Sequence, residues 1–181
     1  MVKWGESCQS NSHFGVDREL LLEYFLTFSR FEYALKDSGL FKRPNNNEIK
    51  NFKEKGVLPE AKPDWNKFAT SLLNVFRTDR TKALKQACEY ILDFPPMKQV
   101  IINDVIGWET PLRPDSESEV AFLLRMVRCI RNNLFHGGKY NIDVHVDTER
   151  TEMLLRSSLV ILEECLSLAT QVRQAFDKAV I

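Results

Sequence analysis

Five stretches of the chain repeat apolar residues at three- and four-residue intervals, and each is bounded by residues that start or stop a helix. Asp17 is a good N-cap for Arg18–Asp37, which Ser38-Gly39 ends. Pro63-Asp64 opens a second helix through about Arg77, and Asp79 can cap a third, Arg80–Leu92, which Pro95-Pro96 ends. Ser116 or Ser118 starts a fourth that runs to His136 and stops at Gly137-Gly138. Asp147 caps a long last helix to Ala179, with Glu149 and Glu152 suited to its positive end. Seven Gly and seven Pro among 181 residues are too few for the many turns of a sandwich or barrel. The expected fold class is therefore all-α: one domain over 17–181, a bundle of about five helices, preceded by a flexible arm over 1–16. Residues 40–62, rich in Asn and Lys, carry one or two helical turns from Asn47 to Lys55. Residues 97–114, before the fourth helix, and Tyr140–Val146, after it, read as irregular or extended.

Charge excludes some functions. Twenty-five Lys and Arg balance twenty-five Asp and Glu, so a globally basic nucleic-acid coat is ruled out and any electrostatic role is local. The four cysteines form no Cys-x-x-Cys and no His stands at ligand spacing, so neither a metal site nor a cofactor is expected. Met1–Trp4 runs straight into polar Gly5–Ser12, which is not a signal-peptide pattern, and no apolar run has membrane-spanning length. A reducing, cytoplasmic setting without a membrane partner is the expectation. Trp65 and Trp108, beside Pro63 and Gly107, read as buried loop anchors, and Cys129 and Cys165 as helix-packing thiols.

Two helices break their own pattern. The first has an apolar arc of Leu21, Phe25, Phe28, Phe31 and Leu35, and Glu32 falls between Leu21 and Phe25 on the helical wheel. The fourth has Val120, Leu123, Leu124, Val127, Ile130 and Leu134, with Arg131 projecting from within that arc. Each misplaced charge calls for a partner, unless Glu32, towards the end of its helix, reaches water. Either the two form a structural ion pair that sets helix register, or Glu32 orients a functional Arg131 in a polar pocket. Between Val120 and Ile142 stand Arg125, Arg128, Arg131 and Lys139 with no acidic residue, a basic stripe suited to phosphate.

The stripe ends in RCIRNNLFHGGKY. With Arg131, Asn132 and His136 followed by Gly137-Gly138-Lys139, this segment resembles the signature of the HEPN superfamily (higher eukaryotes and prokaryotes nucleotide-binding). The resemblance extends to the aromatic first helix around SRFEYALK, the PPMKQV turn and the opening DTERTEMLL of the last helix. It implies a small helical bundle that forms a homodimer, in a superfamily where many members are metal-independent endoribonucleases of toxin or antiphage-defence type, so that a cognate antitoxin becomes a candidate partner. It further implies that Arg131 stabilises the phosphate, that His136 is the general acid or base and that Asn132 orients the phosphate. Arg128 and Lys139 are further phosphate ligands on the basic stripe. Some toxin members carry Tyr two residues after the His; here Gly138 stands there and the nearest tyrosine is Tyr140.

The chemistry suits those residues independently. RNA carries its own nucleophile, the 2′-hydroxyl, so a protein need supply only proton transfer and charge stabilisation. Imidazole does the first near neutral pH and guanidinium the second. Five residues on a helix separate Arg131 and His136 by roughly 140° and about 7.5 Å, so they do not share a face. Either the glycines unwind the last turn, or Arg131 of one chain meets His136 of a twofold mate. A non-catalytic HEPN-like module that binds nucleotide, RNA or protein, and a purely structural helical adaptor, are the competing readings.

Overall fold

The computed structural model describes residues 15–135 and 148–179. Among them are seven helices and one hairpin: α1 Arg18–Asp37, α2 Asn46–Lys55, α3 Trp65–Leu72, α4 Lys82–Asp93, β1 Lys98–Ile102, β2 Val105–Glu109, α5 Glu119–Phe135, α6 Thr148–Leu168 and α7 Thr170–Lys178. The protein is mostly helical, as expected, although the helices number more than five. Among the described residues no helix is long and apolar enough to cross a membrane.

Local chemistry accounts for most boundaries. Asp17 accepts from the Glu19 amide at 2.9 Å and caps α1. The other end closes as a Schellman motif: Leu40 N–H donates to the Leu35 carbonyl and Gly39 N–H to that of Lys36. That turn places Gly39 at φ 76, a left-handed conformation that costs a residue with a Cβ. α3 starts as expected, with Asp64 accepting from Lys67, but ends at Leu72 rather than Arg77. α4 is capped by Thr81, not Asp79, because the Thr81 hydroxyl reaches the Leu84 amide. Ser118 accepts from Ala121 at the start of α5.

Other expectations need correction. The last helix is two, since the chain breaks at Ala169 (φ −121°, ψ 80°) and turns α7 back onto α1. Neither Gly nor Pro marks that break; it is stabilised by burial of Val172, Ala175 and Phe176 and by Arg30, whose guanidinium lies 4.2 Å from the Phe176 ring and donates to the Phe176 carbonyl. Val16, expected within the N-terminal arm, is buried in the core, and Asp17 N–H donates to Glu152 Oε1 on α6; residues 1–14 lie outside the described residues. Residues 97–114 contain an antiparallel hairpin, with Ile101 opposite Ile106 and Ile102 opposite Val105. Asn103 and Asp104 form its loop, both with positive φ, as a tight two-residue hairpin turn requires. Trp108 on β2 is partly exposed instead of a buried anchor, whereas Trp65 is buried. Tyr140–Val146 and the expected Asp147 cap lie outside the described residues.

α6 packs on α4, α1 and α5, while α3 and β1 lean on α5. The buried face of α1 is Leu20, Tyr24, Phe28, Phe31, Ala34 and Leu35. It is rotated from the expected arc, so Leu21 is only partly buried and Phe25 is 39% exposed. α2 caps itself with an Asn45–Glu48 capping box and buries no side chain, standing on a neck closed by the Phe41–Pro63 bridge.

The core also holds ionisable groups. Burial pushes the Cys88 thiol up to about 12 and raises the Tyr24 hydroxyl and the Cys165 thiol as well, with nearby carboxylates adding to the effect on Cys88. In the unfolded chain these groups shed protons at their ordinary, lower values. The unfolded state therefore binds fewer protons above about pH 9, and folding stability falls as pH rises beyond it. The thermal midpoint is expected to drop between pH 8 and about pH 10; a flat profile across that window would mean that these three groups are hydrated.

Candidate functional site

α5 carries the motif through the middle of the molecule, and its neighbours decide what each side chain does. One turn before the motif arginine, the buried Tyr24 hydroxyl of α1 donates to the Val127 carbonyl at 2.8 Å, fixing α1 against α5. Next to this bond the half-buried Arg131 guanidinium lies 5.7 Å from the Phe28 ring, and its Nη1 donates to Asn132 Oδ1 at 3.1 Å. Arg128, one turn back, lies 5.7 Å from the Trp65 ring. Phe28 and Trp65 are themselves stacked, with centroids 5.6 Å apart, and Phe31 stacks on Trp65 with its plane parallel to within 1°. Two guanidinium groups thus rest on one aromatic bed contributed by α1 and α3.

Glu32 belongs to this group but not as a buried anomaly. The rotation of α1 puts it at the edge of the buried face, half-exposed, where its negative charge acts on Arg128. Burial pulls the Arg128 pKa down and Glu32 works against that shift, so Arg128 stays cationic. Among the described residues, no carboxylate lies within ion-pair distance of Arg128 and its side chain has no hydrogen-bond partner. Among the described residues, Arg128 is therefore a cation over the Trp65 ring with its donors uncommitted.

The basic stripe is shorter than its spacing implies. Arg125 makes a two-pronged pair with Glu117, at 2.9 and 2.6 Å, and donates to the Leu112 carbonyl. It braces the segment before α5 and does not point to a phosphate site. Glu117 stands eight residues earlier in the chain, outside the acid-free run, so a charge count over that run misses it. Sequence reasoning also missed Asn133. Its amide donates to the Met97 carbonyl at 2.7 Å, and Cys129, on the same face four residues back, points its thiol at the same oxygen from 3.4 Å. Arg150 of α6 donates to the Pro95 carbonyl at 2.9 Å. The base of the hairpin is thereby tied to the motif helix. The only signal in the sequence is the second Asn of the Asn132-Asn133 pair.

Arg128, Arg131, Asn132 and Glu32 are thus brought to one region where α1, α3 and α5 meet. His136 and Lys139, with Gly137, Gly138 and Tyr140, lie outside the described residues, α5 being described to Phe135. Among the described residues, no three His, Cys, Asp or Glu side chains are grouped to hold a metal ion. No protein-family model matches the chain, and no curated protein or solved structure matches it.

Proposed function

We propose that this chain is a HEPN-type endoribonuclease that works without a metal ion, as a homodimer. The observation that carries the reading is the pair of guanidinium groups, Arg128 and Arg131, one turn apart on stacked Trp65 and Phe28, immediately before the run Asn132–His136. Guanidinium matches a phosphodiester with two parallel donors, and a bed of rings removes competing water from one side. In the reaction, the RNA 2′-hydroxyl attacks the adjacent phosphorus as His136 accepts its proton. Negative charge grows on the non-bridging oxygens, where Arg131 and Arg128 stabilise it, with Asn132 and Lys139 placing the phosphate. The bond to the 5′-oxygen breaks, that oxygen is protonated by water, to which His136 returns the proton it took, and the products are a 2′,3′-cyclic phosphate and a 5′-hydroxyl. Glu32 supports Arg128 only through its charge, from beyond ion-pair distance. A cytoplasmic toxin or defence role, restrained by an antitoxin, belongs to the same proposal.

The test is incubation of RNA with the purified protein in EDTA. Cleavage to cyclic-phosphate ends is expected, falling by about 10²–10⁴-fold in His136→Ala with the fold intact. Binding of RNA with no cyclic product would replace this reading with a non-catalytic phosphate-binding module. Cleavage at the wild-type rate by His136→Ala would remove it.

A further inference from the structure

Residues 40–62 form an arm that stands apart from the core. α2 buries no side chain, and from Phe41 to Leu58 every residue but Glu48 is exposed. The neck is closed by the Phe41–Pro63 bridge, with Asp64 N–H donating to the Leu40 carbonyl and Lys42 N–H to that of Lys62, both at 2.8 Å. The arm holds six cations against three carboxylates in a chain of zero net charge, so the remainder is net negative. All three carboxylates are engaged inside the arm: Glu48 by the Asn45 amide and Lys62, Glu54 by Lys50, and Glu60 by Lys62. Lys42, Arg43, Lys53 and Lys55 make no ion pair among the described residues, and each is exposed. Two rings stand among these charges. Phe41, 48% exposed, directly precedes Lys42-Arg43, and Phe52 on α2 is 46% exposed. Lys55 follows Phe52 by three residues and Lys53 follows Ile49 by four, so both cations border the face that Ile49 and Phe52 share. The neck also fixes where the arm begins. Pro63 is two residues from Trp65, a span of at most ~7 Å, and Trp65 is the ring under Arg128.

We infer that this arm is a second contact for single-stranded RNA, an inference that rests on the ribonuclease reading for the RNA held at Arg128 and Arg131. Lys42, Arg43, Lys53 and Lys55 neutralise phosphates further along the same strand, and bases stack on Phe41 and Phe52. Charge selects the class of occupant, since four unpaired cations with every carboxylate engaged complement a polyanion. The face of α2 is too narrow for other partners. A helix that docks in a protein groove or lies on a lipid surface needs apolar anchors over successive turns. α2 has Ile49 and Phe52 alone, and the next position on their face is Gly56, at φ 67, where the helix has ended. Val57 and Leu58 are also exposed but lie past that end. Phenylalanine faces accept any base, which suits a contact without sequence preference.

Fluorescence anisotropy tests it, with a 2′-O-methyl RNA strand of about 16 nucleotides that binds but lacks the attacking hydroxyl. Lys42→Gln, Arg43→Gln, Lys53→Gln and Lys55→Gln together should weaken binding at least tenfold at about 0.1 M salt. The slope of log K against log salt should fall by about 2–3, with helicity unchanged. A trinucleotide, too short to leave the arginine pair, should bind the wild type and the combined variant alike. Phe52→Ala, which keeps every charge, should weaken the long strand about fivefold or more with the salt slope intact. Unchanged affinity and slope in the combined variant, or equal weakening for the trinucleotide, would overturn the arm as an RNA contact. So would a combined variant that keeps its RNA affinity but no longer sediments with phosphatidylserine vesicles. Should that variant lose helicity, Phe52→Ala decides. The two readings fail separately: RNA cleavage with no dependence on the arm removes only the arm, and arm-dependent binding of RNA that is never cut removes only the ribonuclease.

Discussion

Replacing Arg131 by methionine is expected to lower RNA cleavage by about 10²–10³-fold while leaving the melting temperature nearly unchanged. The magnitude is that of removing one charged donor from a site where negative charge develops. Stability is spared because methionine keeps an unbranched apolar stem over Phe28 and returns Arg131's position in the α5 arc to the apolar pattern of its neighbours. Lysine at the same position keeps the charge but not the planar two-pronged donor set, so it should recover only a small part of the rate. Arg128→Met is the informative companion. Among the described residues nothing engages the Arg128 donors, so its loss should raise the KM for RNA more than it lowers kcat. Kinetics on a defined single-stranded RNA in EDTA, together with thermal melts, separate the cases. A methionine variant of Arg131 that cuts normally, or that unfolds, would make the residue a structural element and nothing more.

Much of the helical architecture could be read from residue order because its signals are local. Asp17, Asp64 and Ser118 are caps that need only their own side chain and an amide two or three residues on, and Gly39 is demanded by the turn that ends α1. The features that escaped were tertiary. Nothing near Ala169 forbids a continuous helix; the break is held by contacts to α1, residues more than a hundred positions away. Val16 looks like part of a polar arm until the core it enters is known. The arc expected for α1 takes in Leu21 and Phe25 and leaves out the buried Leu20 and Tyr24, because a tyrosine reads as polar until its hydroxyl is seen to donate to the Val127 carbonyl.

The site divides the same way. The arginine set into the apolar arc of α5 was legible, since a charge at the centre of a stripe stands out against its neighbours. What it rests on was not. The Phe28–Trp65 stack joins side chains thirty-seven positions apart, and the pairing of Glu117 with Arg125 removes one of three equally spaced arginines. Glu32, expected to answer Arg131 across the helices, acts on Arg128 because the rotation of α1 carries its carboxylate to the edge of the buried face. Even spacing along a helix specifies a face, and only the neighbours of that face tell which charges are already taken.

The largest stability effect should come from Trp65. This residue opens α3 behind the Asp64 cap, is 4% exposed, and has Phe31 stacked parallel on it, Phe28 beside it and Arg128 against its ring. Removing the indole leaves a cavity bounded by rigid rings of α1, and rings fixed by their own helix do not collapse to fill it. Trp65→Ala is therefore expected to cost about 3–5 kcal/mol, which in a domain of this size lowers the midpoint by roughly 10 °C or more. Trp65→Phe should cost less than half as much, because a six-membered ring still stacks on Phe31 and still offers Arg128 a π-face. Urea unfolding with the slope held equal among the variants measures both. Arg128 loses its support along with the indole, so Trp65→Ala should also weaken RNA binding at temperatures where the fold persists, whereas Phe76→Ala, equally buried but with no ring contact to either arginine among the described residues, should destabilise without that loss. Equal weakening of RNA binding by the two alanine variants would mean that the aromatic bed supports the core and not the arginines.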